Sequence, residues 1–288
     1  MRGRITAACL AATLVLAACG SDDGGGGDDQ AADDTEAPTE DTTTTTAAPV
    51  EPLRILVSND DGHEGVGEGL DALVEGLTAL DDVEVTVFIP LQDRTGSSDT
   101  SEPGEQPTSE VTTLSGYPAT AVDGYPADAV EQGIASMAEP PHVVVTGINY
   151  GQNIGPLTEL SGTVGAARTG ARNGIPSLAV SQGIFANGGG PEPDYPAAVA
   201  LVEAWIAEHR DELVAAEPVD GIAEVTNLNV PTCPTGEQKE LIEVPVATDA
   251  DIEGLDLGAV DCESEVAEPA NDVTGFLAGH PVQSELTA

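Results

Sequence analysis

Lysine is almost absent from these 288 residues: Lys and Arg together number 8 against 51 Asp and Glu, a formal charge of −43. A surface of that sign repels nucleic-acid backbones and anionic headgroups, so a polymeric nucleic-acid partner is excluded. A small phosphate ester can still bind where a divalent cation locally reverses the field. Aromatic residues make up only 3%, yet a hydrophobic content of 40% is enough for a substantial core. Several catalytic signatures are missing too. There is no Gly-x-Ser-x-Gly elbow, no Walker lysine, and His63, His142, His209 and His280 show no paired metal spacing. In Gly65-Val66-Gly67-Glu68-Gly69 the third glycine falls one position early for a dinucleotide loop, and Asp60-Asp61 would face a pyrophosphate unfavourably.

Cysteine is limited to Cys9, Cys19, Cys233 and Cys262. Arg2 and Arg4 precede an apolar run too short to span a bilayer comfortably, ending in Leu16-Ala17-Ala18-Cys19. Residues 1–19 therefore read as a cleaved export signal. Their tail resembles the bacterial lipobox, in which the cysteine is lipidated; the alternative is an ordinary secretory signal that contains a cysteine. Residues 20–52, rich in Gly, Asp, Glu, Thr and Pro, cannot bury apolar area and are expected to form a disordered acidic tether. The chain is thus expected to be exported and held at the outer face of the cell membrane through a lipid on Cys19. In that oxidising setting Cys233 and Cys262 are expected to form a disulfide, the alternative being two buried thiols.

The remaining span, 53–288, reads as one folded domain. Leu53-Arg54-Ile55-Leu56-Val57-Ser58 is a buried strand closed by the polar loop Asn59-Asp60-Asp61-Gly62. Leu70, Leu73, Val74, Leu77 and Leu80 recur at helical spacing, and residues 83–89 form a second strand stopped by Pro90. Further strands are predicted at 143–146, 175–180 and 228–230, with helices over 161–172 and 197–209. Strand, helix and strand in alternation imply an α/β fold: a doubly wound, Rossmann-like, mostly parallel sheet with its crevice at the carboxyl ends of the strands. The Pro- and Gly-rich residues after 232 are expected to form an irregular, partly β extension.

Those strand ends carry oxygen donors. Asp60 and Asp61 follow the first strand, Asp93-Arg94-Thr95-Gly96-Ser97-Ser98 follows the second, and Asn149 and Asn153 follow the strand at 143–146. Two carboxylates, a hydroxyl and an amide oxygen suit Mg²⁺, Mn²⁺ or Ca²⁺ better than Zn²⁺. Ser161-Gly162-Thr163 opens a helix whose unpaired N–H groups could receive an anion. Each piece alone also has a plain reading as a turn or an N-cap; their shared location favours phosphoryl chemistry.

The blocks Ile55-Leu56-Val57-Ser58-Asn59-Asp60-Asp61-Gly62, Thr146-Gly147-Ile148-Asn149 with Asn153 and Gly155, Leu160-Ser161-Gly162-Thr163-Val164, and Asn227-Leu228-Asn229-Val230-Pro231 resemble, in order and spacing, the SurE-type 5′/3′-nucleotidases. The resemblance implies a metal-dependent phosphomonoesterase acting on nucleoside monophosphates or another small phosphate ester. It implies a divalent cation, Mg²⁺ or Mn²⁺, on Asp60, Asp61, Thr95 and Asn149. Asn59, Asn153, Ser161, Gly162 and Thr163 would approach the phosphate. The catalytic pair is then Asp60 and Asp61, with either water or an aspartate as nucleophile. Thr95 stands where the family carries serine, and Pro126-Ala127-Asp128 replaces Pro-Thr-Asp. A homodimer is admitted by the resemblance. The alternative function is a surface lipoprotein that binds a small solute without turning it over.

Overall fold

The computed structural model describes residues 51–288 except 66, 186–189, 217, 220 and 250–255. The export signal, Cys19 and almost all of the tether lie outside the described residues. Among those described, no helix is long and apolar enough to cross a membrane.

β1 (Leu53–Ser58) is apolar at nearly every position because both its faces are covered, as parallel strands in a doubly wound sheet require. Leu53, Ile55, Leu56 and Val57 are all 0% exposed, each contributing roughly 1.5–3 kcal/mol by burial. α1 (Glu68–Ala79) sets Leu70, Leu73, Val74 and Leu77 along one buried stripe. It leads to β2 (Val83–Pro90), which pairs parallel with β1. Then come β3 (Thr108–Thr112), β4 (Pro118–Val122), α2 (Pro126–Ser136), β5 (Val143–Tyr150), a 3₁₀ turn (Gly155–Glu159) and α3 (Gly162–Arg172). β6 (Ser177–Gln182), α4 (Tyr195–Ala215) and β7 (Val225–Val230) complete the alternating part. The C-terminal extension adds β8 (Ile242–Glu243), α5 (Asp272–Leu277) and β9 (Val282–Leu286).

The strands form one sheet in the order β3-β4-β2-β1-β5-β6-β7-β9-β8. From β4 through β7 every neighbouring pair is parallel, whereas β3 runs antiparallel to β4 and β9 antiparallel to β7. After β1 the chain builds outward through β2 and β4, then returns to lay β5 on the other side of β1. That reversal opens a crevice at the carboxyl ends of β1 and β5. α1 and α4 cover one face, packing Leu73, Leu77, Val202 and Ile206 on β1, β2 and β5. α2 and α3 contribute Ala129, Val130 and Ala166 to the opposite core around Leu56 and Val144.

β3, β4 and α2 are elements that the periodicity did not announce. β3 is exposed at nearly every position, and α2 buries mostly small side chains, with Val130 its one buried aliphatic larger than Ala, so neither produces an apolar rhythm. The extension has its own core of Ile154, Val260, Val273, Phe276 and Val282, with Cys233 bonded to Cys262 at a Cα–Cα distance of 5.7 Å. Asp272 ties this region to the turn before α3. It is fully buried, and its carboxylate accepts N–H groups from Gly155 at 2.7 Å, Ala247 at 2.7 Å and Val273 at 2.8 Å.

Candidate active site

Asp60 and Asp61 leave β1 at the reversal and are 2% and 5% exposed. Thr163 Oγ1 donates to Asp60 Oδ1 at 2.5 Å, and the Thr163 N–H bonds the same carboxylate. Tyr150 N–H reaches Asp61 from the end of β5. These donors do not offset the burial, which is the main cause raising both carboxyls above their ordinary range. Asp61 is pushed up to about 8 by burial and by the charge of Asp60 beside it; burial likewise raises Asp60. No described ion pair involves either residue. The Arg94 backbone N–H bonds Asp60 O at 2.8 Å, yet its guanidinium turns away to lie 5.0 Å over the Tyr125 ring. A buried acid pair without a cationic side chain is a site built for an external positive charge.

The surrounding atoms fit a hard divalent cation. Asp61 Oδ2 is buried without a hydrogen-bond partner, as is Ser97 Oγ. Asn149 commits its amide nitrogen to Gly151 O at 2.7 Å, which leaves Oδ1 as its acceptor. Among the described residues no three His, Cys, Asp or Glu side chains cluster as ligands. The donor set therefore consists of two carboxylates and neutral oxygens, the open kind of site in which Mg²⁺ keeps several waters.

Local structure explains why these residues converge. β5 shifts register between Thr146 and Asn149, and this irregularity re-aims Asn149 at the strand end. At the centre of the shift Gly147 has φ +128°, and a Cβ there would lie 2.3 Å from Val180 O; only glycine fits. Thr146 Oγ1 donates to Thr163 O at 2.9 Å, fastening β5 to α3. Gly162 brings α3 against the pair, since a Cβ on it would meet Asp60 Cβ and Ser97 Oγ at 2.8 Å.

The other residues singled out in the sequence divide into several settings. Ser161 caps α3, its Oγ accepting Val164 N–H at 3.1 Å. With the Thr163 N–H on Asp60, the α3 N-terminus thus serves the acid pair before it can serve an anion. Asn59 Oδ1 accepts Gly62 N–H at 3.3 Å, while its buried Nδ2 is without a partner. Asn153 sits in an amide network: its Nδ2 donates to Ser181 Oγ at 2.9 Å, its N–H to Asn229 Oδ1 at 2.7 Å, and its carbonyl receives Asn227 and Asn229. Thr95 is exposed, and its hydroxyl donates to Asp93 Oδ1 at 2.7 Å. Asp93 in turn acts on both Asp60 and Asp61 through its charge.

Three neighbours were not recognised from sequence as parts of the site. Ser97 lies beside Gly162 and Asp60, and the Asp93–Ser98 run had pointed to its loop without choosing it. Asp93 reads in sequence as one acid among 51. Tyr195, the first residue of α4, has a buried hydroxyl without a partner, and burial together with the charge of Asp61 raises its pKa. No sequence signal marks it.

The family model described as Survival protein SurE matches residues 55–250, the span that builds this crevice. The chain belongs to the SurE family. A protein of Alkalilimnicola ehrlichii named 5′-nucleotidase SurE is 34% identical over 254 residues, covering 82% of this chain and 91% of that protein. Its namesake in Nitrosococcus oceani is 32% identical over 251 residues, 82% and 93% of the two chains. Among solved structures, the SurE protein of Aquifex aeolicus superimposes with a TM-score of 0.60 at 23% identity, covering 81% of this chain and 93% of that one. This last likeness corroborates the SurE fold: a mostly parallel sheet with added C-terminal strands.

Proposed function

We propose that this member of the SurE family is a divalent-metal-dependent phosphomonoesterase that hydrolyses nucleoside monophosphates. The observation that carries the proposal is the buried Asp60–Asp61 pair, raised by desolvation and without an ion pair to any described cationic side chain. A solute-binding protein for anions would gain nothing from two carboxylates at its mouth unless a cation sat between them and the ligand. The relatives named 5′-nucleotidase SurE support the same reaction class.

Asp60, Asp61 and Asn149 Oδ1 would hold the cation, with a hydroxyl from the loop after β2. For that hydroxyl we assign Ser97, whose Oγ lies near Asp60, and give Thr95 the role of a neighbour orienting Asp93. When bound, Mg²⁺ or Mn²⁺ supplies charge neutralisation of the phosphate and a Lewis acid. Thr163 fixes the rotamer of Asp60 by its hydrogen bond. Asn59 Nδ2 is a buried donor suited to a phosphate oxygen developing charge.

We further propose that the protein works outside the cytoplasm, tethered by a lipid on Cys19. Support comes from the Leu16-Ala17-Ala18-Cys19 tail and from the Cys233–Cys262 bond, a pairing favoured in oxidising compartments. The test is phosphate release from AMP by the purified full-length chain with Mg²⁺ or Mn²⁺ and with EDTA. Wild type should turn over only with the metal, and Asp60→Asn should lose activity by at least a hundredfold. Full activity in that variant overturns the assignment.

A further inference from the structure

Aromatic residues are few here: one Trp, four Tyr and three Phe. Two of the four tyrosines nonetheless flank Asp61. Tyr195 is half-buried, with a buried hydroxyl that feels the charge of Asp61, whereas Tyr150 gives Asp61 its backbone N–H and stands 44% exposed. The preceding seven positions of β5 are all buried, so exposure begins abruptly at this ring. The backbone on either side is pinned. Gly151 N–H bonds Gln182 O at 2.9 Å, and Asn149 Nδ2 closes on Gly151 O. Leu160, immediately before Ser161, is 60% exposed. Exposed side chains with apolar faces thus stand at the end of β5 and just before α3, the two elements whose donors reach the acid pair.

We infer that Tyr150 is the platform on which the nucleobase of the substrate stacks, making it a specificity-determining residue. This inference rests on the phosphomonoesterase reading and deepens it. A net charge of −43 opposes any ligand with more negative charge than the cation can cancel. It favours a substrate with one phosphate on the metal and a flat, neutral body beyond it. An exposed tyrosine on a rigid strand end offers such a body its ring face at little conformational cost. Stacking is tolerant of base identity, because every base has a π-face. The site should thus distinguish nucleotides from base-free sugar phosphates more sharply than it distinguishes one base from another.

The experiment compares AMP with ribose 5-phosphate, which keeps the sugar and phosphate but lacks the base. Steady-state rates are measured with the Mg²⁺-loaded full-length chain as wild type, Tyr150→Ala, Tyr150→Phe and Tyr150→Trp. Tyr150→Ala should raise KM for AMP about tenfold while kcat moves less than threefold. Its loss in kcat/KM on AMP should exceed its loss on ribose 5-phosphate at least fivefold. Tyr150→Phe and Tyr150→Trp should restore the KM for AMP. Equal losses on both substrates, or no change on AMP, overturn the platform while leaving the phosphatase reading intact. Wild type hydrolysing neither substrate overturns the phosphatase reading, and the platform falls with it.

Discussion

Thr163 Oγ1 meets Asp60 Oδ1 at 2.5 Å across 103 positions of sequence, so the first turn of α3 holds the carboxylate that ends the strip of residues from β1. The same carboxylate receives the Thr163 backbone N–H. Thr163→Val keeps the shape of the side chain and removes the hydroxyl donor. Groups that orient a metal ligand typically matter by 10–100-fold in affinity. Calorimetric titration with Mn²⁺ should show a weakening of about that size in Thr163→Val and near-normal affinity in Thr163→Ser.

Ser97 and Thr95 make different demands on the same titration. Ser97 Oγ is buried near Asp60, whereas the Thr95 hydroxyl is exposed and already donates to Asp93. Ser97→Ala should therefore weaken Mn²⁺ binding about tenfold or more, and Thr95→Val should weaken it by less. The reverse order would assign the fourth oxygen to Thr95.

Stability should respond to pH through Asp61. In the folded, metal-free chain it keeps its proton up to about pH 8, while its ordinary value is 3.8. Between those values the folded state binds more protons than the unfolded chain. The contribution is thus fully present below the lower value and is lost as pH rises through about 8. Melting temperatures in EDTA should fall from pH 5 to pH 8. Asp61→Asn should flatten that decline, and Mg²⁺ should raise the wild-type value most at the alkaline end.

Asp272 should behave as a structural keystone. Its carboxylate takes three backbone N–H groups, two from distant stretches at Gly155 and Ala247 and one from its own neighbour Val273. Asp272→Ala leaves them buried and unpaired, at about 1–3 kcal/mol for each lost partner. Urea unfolding should show a loss of roughly 3 kcal/mol or more. Reduction of Cys233–Cys262 should lower stability by about 2–4 kcal/mol, a change read from the same curves.

What the sequence made legible follows the strength of its apolar rhythm. β1, α1, β2, β5 and β6 bury large aliphatic side chains at strand or helix spacing, and the predicted segments fall on them. The strand predicted at 228–230 proves to start earlier, at Val225, because Thr226 and Asn227 are polar yet buried. α2 and α3 are packed by Ala and Gly, and β3 is an exposed edge, so only the Ser-Gly-Thr signal exposed one of the three. Asp60 and Asp61 were readable because they follow a buried strand directly. Tyr195 was not, since it reaches Asp61 through tertiary folding alone.

β1 is both the first described strand and an interior one, clasped along its length by β2 and β5. Any mechanical load entering the domain from the N-terminal side therefore arrives at Leu53 and runs along this strand. Two parallel ladders resist such a load in shear, with several hydrogen bonds strained together instead of opening one after another as at a sheet edge. Asp60 and Asp61 lie at the far end of the same strand, beyond those ladders. A pull at Leu53 must break the ladders to β2 and β5 before it displaces either carboxylate, so the active centre is insulated from force applied there.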